Sequence, residues 1–167
     1  MEERLYFAYG SNMNLTQMKC RCPAAALKGH VRLEDYRLEF CGKGQRYGVA
    51  TIIPEKGEIV EGVLWAITPE CERSLDGYEG YPYLYGKECL LVKDTHGDVI
   101  EVMAYTMNAP YREYLVHPSQ AYLEGILTGC RQNGIQTESV IEAADRSHEE
   151  ENARISAMEN RKKNRER

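Results

Sequence analysis

The hydrophobic pattern of this chain changes period several times, and each change marks an element. Residues 5–9, Leu-Tyr-Phe-Ala-Tyr, form an apolar run of strand length that ends in Gly10-Ser11-Asn12. Asn14 follows as N-cap of a short helix over residues 15–19. Residues 24–33 and 36–40 read as two strands separated by the polar turn Glu34-Asp35. Residues 47–53 alternate, and Pro54-Glu55-Lys56-Gly57 is a turn signal. Residues 59–67 make a further strand, in which Gly62 predicts a bend or a close backbone approach. Thr68 followed by Pro69 starts a helix expected to run to about Asp76 or Gly77, with Glu79 just past its end. Strands over residues 85–93 and 99–107 flank the hairpin turn 94–98, where His96 is a turn residue. An amphipathic helix over 119–133 carries Tyr122, Leu123, Ile126, Leu127 and Cys130 on one broad face, and Gly134 supplies its left-handed stop.

The strands come in runs and do not alternate strictly with helices, which predicts an α+β fold and argues against a Rossmann sheet. The first loop also lacks G-x-G-x-x-G, so the dinucleotide reading falls away. Beyond Thr137 the pattern weakens. Val140, Ile141 and Ala144 can still pack, but residues 149–167 are mostly charged. The expectation is one domain over residues 1–144 and a charged tail over 145–167, a solvated or frayed helix. On that reading, removing residues 147–167 leaves the melting temperature and the activity nearly unchanged.

Composition narrows the function classes. A length of 167 residues suits one domain with a sizeable core, and 43% hydrophobic with 28% charged residues is ordinary for a globular chain. A net charge of −5 argues against a nucleic-acid partner, which needs a basic stripe. No apolar stretch approaches a membrane span, and the N-terminus lacks a basic start and an apolar middle, so the expected location is cytoplasmic. The six cysteines include no Cys-x-x-Cys pair, and none of the four histidines stands at ligand spacing from one. Free buried thiols, no structural disulfide and no metal are therefore expected.

Three segments carry candidate chemistry. Gly10 permits close approach of a ligand to the backbone, and the amides after the first strand can converge on a carboxylate or an oxyanion. Glu79 lies beside Gly80 among Tyr78, Tyr81, Tyr83 and Tyr85, surroundings that can dehydrate a carboxylate and raise its pKa. Pro118-Ser119-Gln120-Ala121-Tyr122 opens the last amphipathic helix, followed by Gly125-Ile126 and Gly129.

In this order and spacing, Tyr9-Gly10-Ser11-Asn12, Asp76-x-x-Glu79-Gly80 with Tyr85, and Pro118-Ser119-x-x-Tyr122 resemble the gamma-glutamylcyclotransferase (AIG2-like) family, over about residues 5–141. The resemblance implies a small mixed β-barrel flanked by helices, with a pocket at one mouth. It implies a cofactor-independent enzyme that cyclises a γ-glutamyl-amino acid or related amide to 5-oxoproline and a free amine. Glu79 would be the acid/base. Gly10, Ser11 and Asn12 would supply donors, Tyr9 a wall, and Tyr85 and Tyr122 hydroxyls that face the pocket. Tyr105 matches a family strand tyrosine, and Asp76 is expected to brace the Glu79 segment. The stretch Gly80-Tyr81-Pro82-Tyr83-Leu84 departs from some members and leaves the leaving amine open, including γ-glutamylamines and biosynthetic γ-glutamyl protecting groups. A non-catalytic binding module is the rival from another class. The expected partner is the small γ-glutamyl substrate, with no nucleic acid and no membrane. A homodimer stays open.

Overall fold

The computed structural model describes residues 2–167. Five strands, β1 (Arg4–Ala8), β2 (Ala26–Cys41), β3 (Val49–Ile67), β4 (Tyr85–Asp94) and β5 (Val99–Met107), close into a barrel in the order β1-β3-β2-β4-β5. Neighbours are antiparallel except at the closure, where β1 runs parallel to β5 and Tyr6 faces Met103. The sheet is therefore mixed, and closure removes the unpaired edge that a short first strand would expose. Outside lie α1 (Leu15–Arg21), α2 (Pro69–Glu79), α3 (Gln120–Gln132) and α4 (Glu138–Arg165). Phe7, Phe40, Leu75, Met103 and Ile126, drawn from barrel and helices alike, are fully or almost fully buried in one continuous core.

Two pairs of expected strands are each continuous. The strands expected over 24–33 and 36–40 form one strand, β2, and those expected over 47–53 and 59–67 form β3. The polar signals are real, but they bend the hairpin and do not end it. Its register steps from Glu34↔Ile59 to Tyr36↔Pro54, so Asp35 (φ 63°) and residues 55–58 bulge out opposite one another. The Gly57 amide donates to the Asp35 carboxylate at 3.0 Å and ties the two bulges. The expected close approach at Gly62 is present: a Cβ there would lie 2.4 Å from the Phe7 ring.

The caps expected at Asn14 and Thr68 are present, and Ser119, expected as the first residue of its helix, is the N-cap of α3. Asn14, Thr68 and Ser119 each accept an amide hydrogen from the first turn of α1, α2 and α3. α2 runs further than expected. Glu79 is its last residue, and Gly80 stops it in the left-handed conformation (φ 64°). That extra turn fixes the backbone that carries Glu79.

The C-terminal expectation is corrected. α4 continues unbroken across residues 144–145, and packing does not end at Ala144. Ser147 is fully buried, Arg146 donates to the buried Glu39 carboxylate at 3.1 Å, Glu151 pairs with His117, and Arg154 donates to the Leu115 carbonyl at 2.7 Å. The charges that looked like a solvated face include anchors, and only residues past about 155 are uniformly exposed. The thiols are corrected as well: Cys22, Cys41, Cys71 and Cys130 are buried, whereas Cys20 and Cys89 are exposed. Among the described residues, no helix is long and apolar enough to cross a membrane.

Candidate active site

A cavity of about 190 Å³ opens where β1 and β5 end and β3 and β4 begin. Its lining includes Tyr9, Gly10, Ser11, Asn12, Glu79, Tyr85 and Tyr122, so all seven residues expected from the sequence meet in one place. They arrive from different elements: the loop after β1, the end of α2, the start of β4, and the first turn of α3.

The loop is held rigidly. After Gly10 the chain makes one 3₁₀ turn over Ser11–Met13, in which the amides of Met13 and Asn14 are taken by the Gly10 and Ser11 carbonyls. The amides of Ser11 and Asn12 lie at the open N-terminal end of that turn. Trp65 Nε1 donates to the Asn12 carbonyl at 3.0 Å, and Asn133 Nδ2 donates to the Met13 carbonyl at 2.8 Å. α3 lies directly on the turn because Gly129 has no side chain; a Cβ there would come within 2.7 Å of the Asn14 nitrogen.

Glu79 is half-buried and its Oε1 accepts one hydrogen bond, from Asn12 Nδ2 at 3.3 Å. Burial pushes its carboxyl up to about 7, against the pull of the nearby Arg21 cation, which lowers it. A carboxyl in that range accepts a proton and gives it back at neutral pH. The phenols around it do not compete, since burial raises those of Tyr6, Tyr9, Tyr85, Tyr105 and Tyr122 and keeps them neutral.

The tyrosines divide by what their hydroxyls do. Tyr9 donates to the Tyr105 carbonyl, which leaves its ring as wall. Tyr85 donates to the Ala50 carbonyl at 2.5 Å. Tyr122 instead accepts from the Ala50 amide at 3.0 Å, so its own hydrogen remains to be donated. Asp76 is not among the lining residues; it accepts from Tyr105 at 2.6 Å and pairs with Lys87 at 2.9 Å. It braces α2 against β4 and β5, as expected of it.

Sequence reasoning missed Tyr6, Tyr78 and Arg21. Tyr6 lines the cavity and accepts from Asn12 Nδ2 at 3.0 Å. Tyr78 lines it too, and the Arg21 guanidinium stacks on its ring at 3.6 Å from the centroid. Tyr6 sits one register step inside a strand and Arg21 at the end of a charged helix turn, where neither pattern distinguishes a site residue from scaffold.

Comparisons with known proteins identify the family. Residues 6–124 match the profile of the family described as Gamma-glutamyl cyclotransferase, AIG2-like. Gamma-glutamylcyclotransferases of Bos taurus and Homo sapiens are each 34% identical to the chain, covering 82% of it and 75% of their own length. A solved structure titled "Gamma-glutamyl cyclotransferase" superposes with a TM-score of 0.76 at 32% identity, covering 85% of this chain and 86% of its own. With that match extending over most of its length, the chain belongs to the gamma-glutamyl cyclotransferase, AIG2-like family of enzymes.

Proposed function

We propose that this chain converts a γ-glutamyl-amino acid, or a related γ-glutamyl amide, into 5-oxoproline and a free amine, with Glu79 carrying the proton. The observation that carries the reading is a single carboxyl, with its pKa raised to about 7, on the wall of a cavity lined by tyrosines and the Gly10–Asn12 loop.

The α-amine of the substrate attacks its own γ-carbonyl carbon and closes a five-membered lactam. Glu79 takes the proton that the amine loses as the new C–N bond forms. The old C–N bond then breaks, and the same carboxyl returns the proton to the departing amine, so protons balance over one turnover. Both reacting groups belong to one molecule, and holding them in the folded conformer supplies much of the rate. The oxygen that gathers charge at the γ-carbon, or the substrate's α-carboxylate, would be met by the amides of Ser11 and Asn12 and the hydroxyl hydrogen of Tyr122. A cytoplasmic location belongs to the same proposal, because the exposed thiols of Cys20 and Cys89 suit a reducing compartment.

The test is incubation with a panel of γ-glutamyl-amino acids and γ-glutamylamines, following 5-oxoproline by mass spectrometry. Product from amino-acid conjugates is expected. Product from amine conjugates alone reassigns the leaving group, and none from any member overturns the catalytic reading. Excess EDTA is expected to leave the rate unchanged. The proton transfers use Glu79 alone, and no group of three His, Cys, Asp or Glu among the described residues is arranged to hold a metal.

A further inference from the structure

We propose that Arg21 is the positioning residue of this reaction: it fixes which end of the Asn12 amide faces Glu79, and it holds the charge that balances the Glu79 carboxylate. The inference rests on the reading of Glu79 as the proton carrier.

Arg21 is the last residue of α1, and its fork faces the loop and α2 together. Nη1 donates to Asn12 Oδ1 at 2.6 Å and to Ser11 Oγ at 3.1 Å, while Nη2 donates to Gln17 Oε1 one turn back at 3.1 Å. The guanidinium plane stacks on Tyr78, the residue before Glu79. The Arg21 carbonyl accepts from Ser74 Oγ at 2.9 Å, so α1 and α2 are joined at this residue. An arginine can stack, fork and carry charge at once; a lysine supplies the charge alone.

The consequence for Asn12 follows from its two ends. A side-chain amide has an oxygen that only accepts and a nitrogen that only donates. Arg21 claims the oxygen, so the nitrogen faces Tyr6 and Glu79, at 3.0 and 3.3 Å. Without Arg21 the amide loses its anchor. A half-turn would then set Oδ1 against the Glu79 carboxylate, and two acceptors would oppose each other where the ionised form must wait for substrate.

The electrostatic consequence has a definite sign. The cavity that Glu79 lines is walled by Tyr6, Tyr9, Tyr78, Tyr85, Tyr105 and Tyr122, from β1 and the loop after it, α2, β4, β5 and α3, and burial keeps the phenols of Tyr6, Tyr9, Tyr85, Tyr105 and Tyr122 neutral. Asp76 and Lys87 neutralise one another at 2.9 Å. Among the described residues, Arg21 is the cation that acts on Glu79 directly and opposes its burial. Removing it lets burial act alone, and Glu79 then holds its proton to higher pH.

The decisive experiment compares Arg21→Met and Arg21→Lys with the parent. It uses the pH profile of kcat/KM for 5-oxoproline formation and the titration of the Glu79 side-chain carboxyl followed by ¹³C NMR. Arg21→Met is expected to move the Glu79 midpoint and the acid limb upward by about one pH unit. It should also lower kcat/KM by roughly 10²-fold at neutral pH, as expected when a placed catalytic group is misaligned. Arg21→Lys should restore the midpoint but leave kcat/KM at least about tenfold down, since the fork to Asn12 is gone. A Glu79 midpoint within about 0.3 of the parent in Arg21→Met, with kcat/KM within threefold, would overturn the proposal. If Arg21→Met does not fold, Arg21→Lys decides: unchanged kcat/KM overturns it, and a tenfold loss with the midpoint kept supports it. The NMR titration needs no turnover, so it reads Arg21 even if no γ-glutamyl compound is converted, and the two proposals can fail separately.

Discussion

Replacing Glu79 with glutamine should lower turnover by about 10²- to 10⁴-fold and, above pH 8, make the protein more stable than the parent. The first effect follows from chemistry that needs a two-way proton carrier, which an amide cannot be. The second follows from linkage. Burial raises the folded-state pKa of Glu79 to about 7 from an ordinary 4.5. Below the ordinary value the carboxyl is protonated in both folded and unfolded chains, and Glu and Gln then differ little. As pH rises from 4.5 toward 7, the unfolded chain ionises while the folded chain holds its proton, so the folded state loses ground. Above 7 the full penalty applies, at most about 3 kcal/mol from the size of that shift. Glutamine has no charge to bury and escapes it. Melting curves of parent and Glu79→Gln at pH 4 and pH 8.5 check the sign, and kcat at neutral pH checks the chemistry. Activity within a few-fold of the parent would remove Glu79 from the mechanism.

Arg146→Met should lower the melting temperature by several degrees without touching the cavity. Glu39 is 1% exposed, and its carboxylate meets Arg146 Nε at 3.1 Å and Arg37 Nε at 2.6 Å. Arg146 also donates to the Leu38 carbonyl at 3.0 Å, fastening α4 to β2. Removing one partner of a buried pair leaves a charge without compensation, at a cost near the low end of about 3–5 kcal/mol because Arg37 stays. For a chain of this length that is a fall of roughly 6–12 °C. Removing residues 146–167 should cost at least as much, since the holds of Glu151 on His117 and Arg154 on Leu115 go too. Removing only residues 156–167 should cost nothing measurable. Thermal melts of the three variants separate these outcomes. Equal stability of the 146–167 deletion and the parent would mean that the helix beyond Ala144 is a passenger after all.

Much of the site was legible because its parts are local. A strand that ends in Gly-Ser-Asn, a Thr-Pro helix start eleven residues before a Glu-Gly pair, and a Ser-capped helix with a tyrosine in its first turn each state their own geometry. Their order along the chain carried the family, and the family carried the barrel. Period and capping are properties of neighbouring residues, so the helix starts of α1, α2 and α3 stand where the sequence places them.

What the sequence alone determined is therefore which stretches form strand and where α1, α2 and α3 begin, together with the loop and carboxylate on which the chemistry is proposed to rest. Tertiary structure decided the rest, wherever the outcome depended on a partner far along the chain. Asp35 bulges and does not turn, because β3 pairs with β2 on both sides of it. Arg146 is an anchor and not solvated charge, because Glu39, 107 residues away, is buried beneath it. Arg21 reaches the site because α2 returns Tyr78 and Glu79 to the end of α1. Charge on a helix reads the same in sequence whether water or a buried carboxylate receives it; only the fold supplies the receiver.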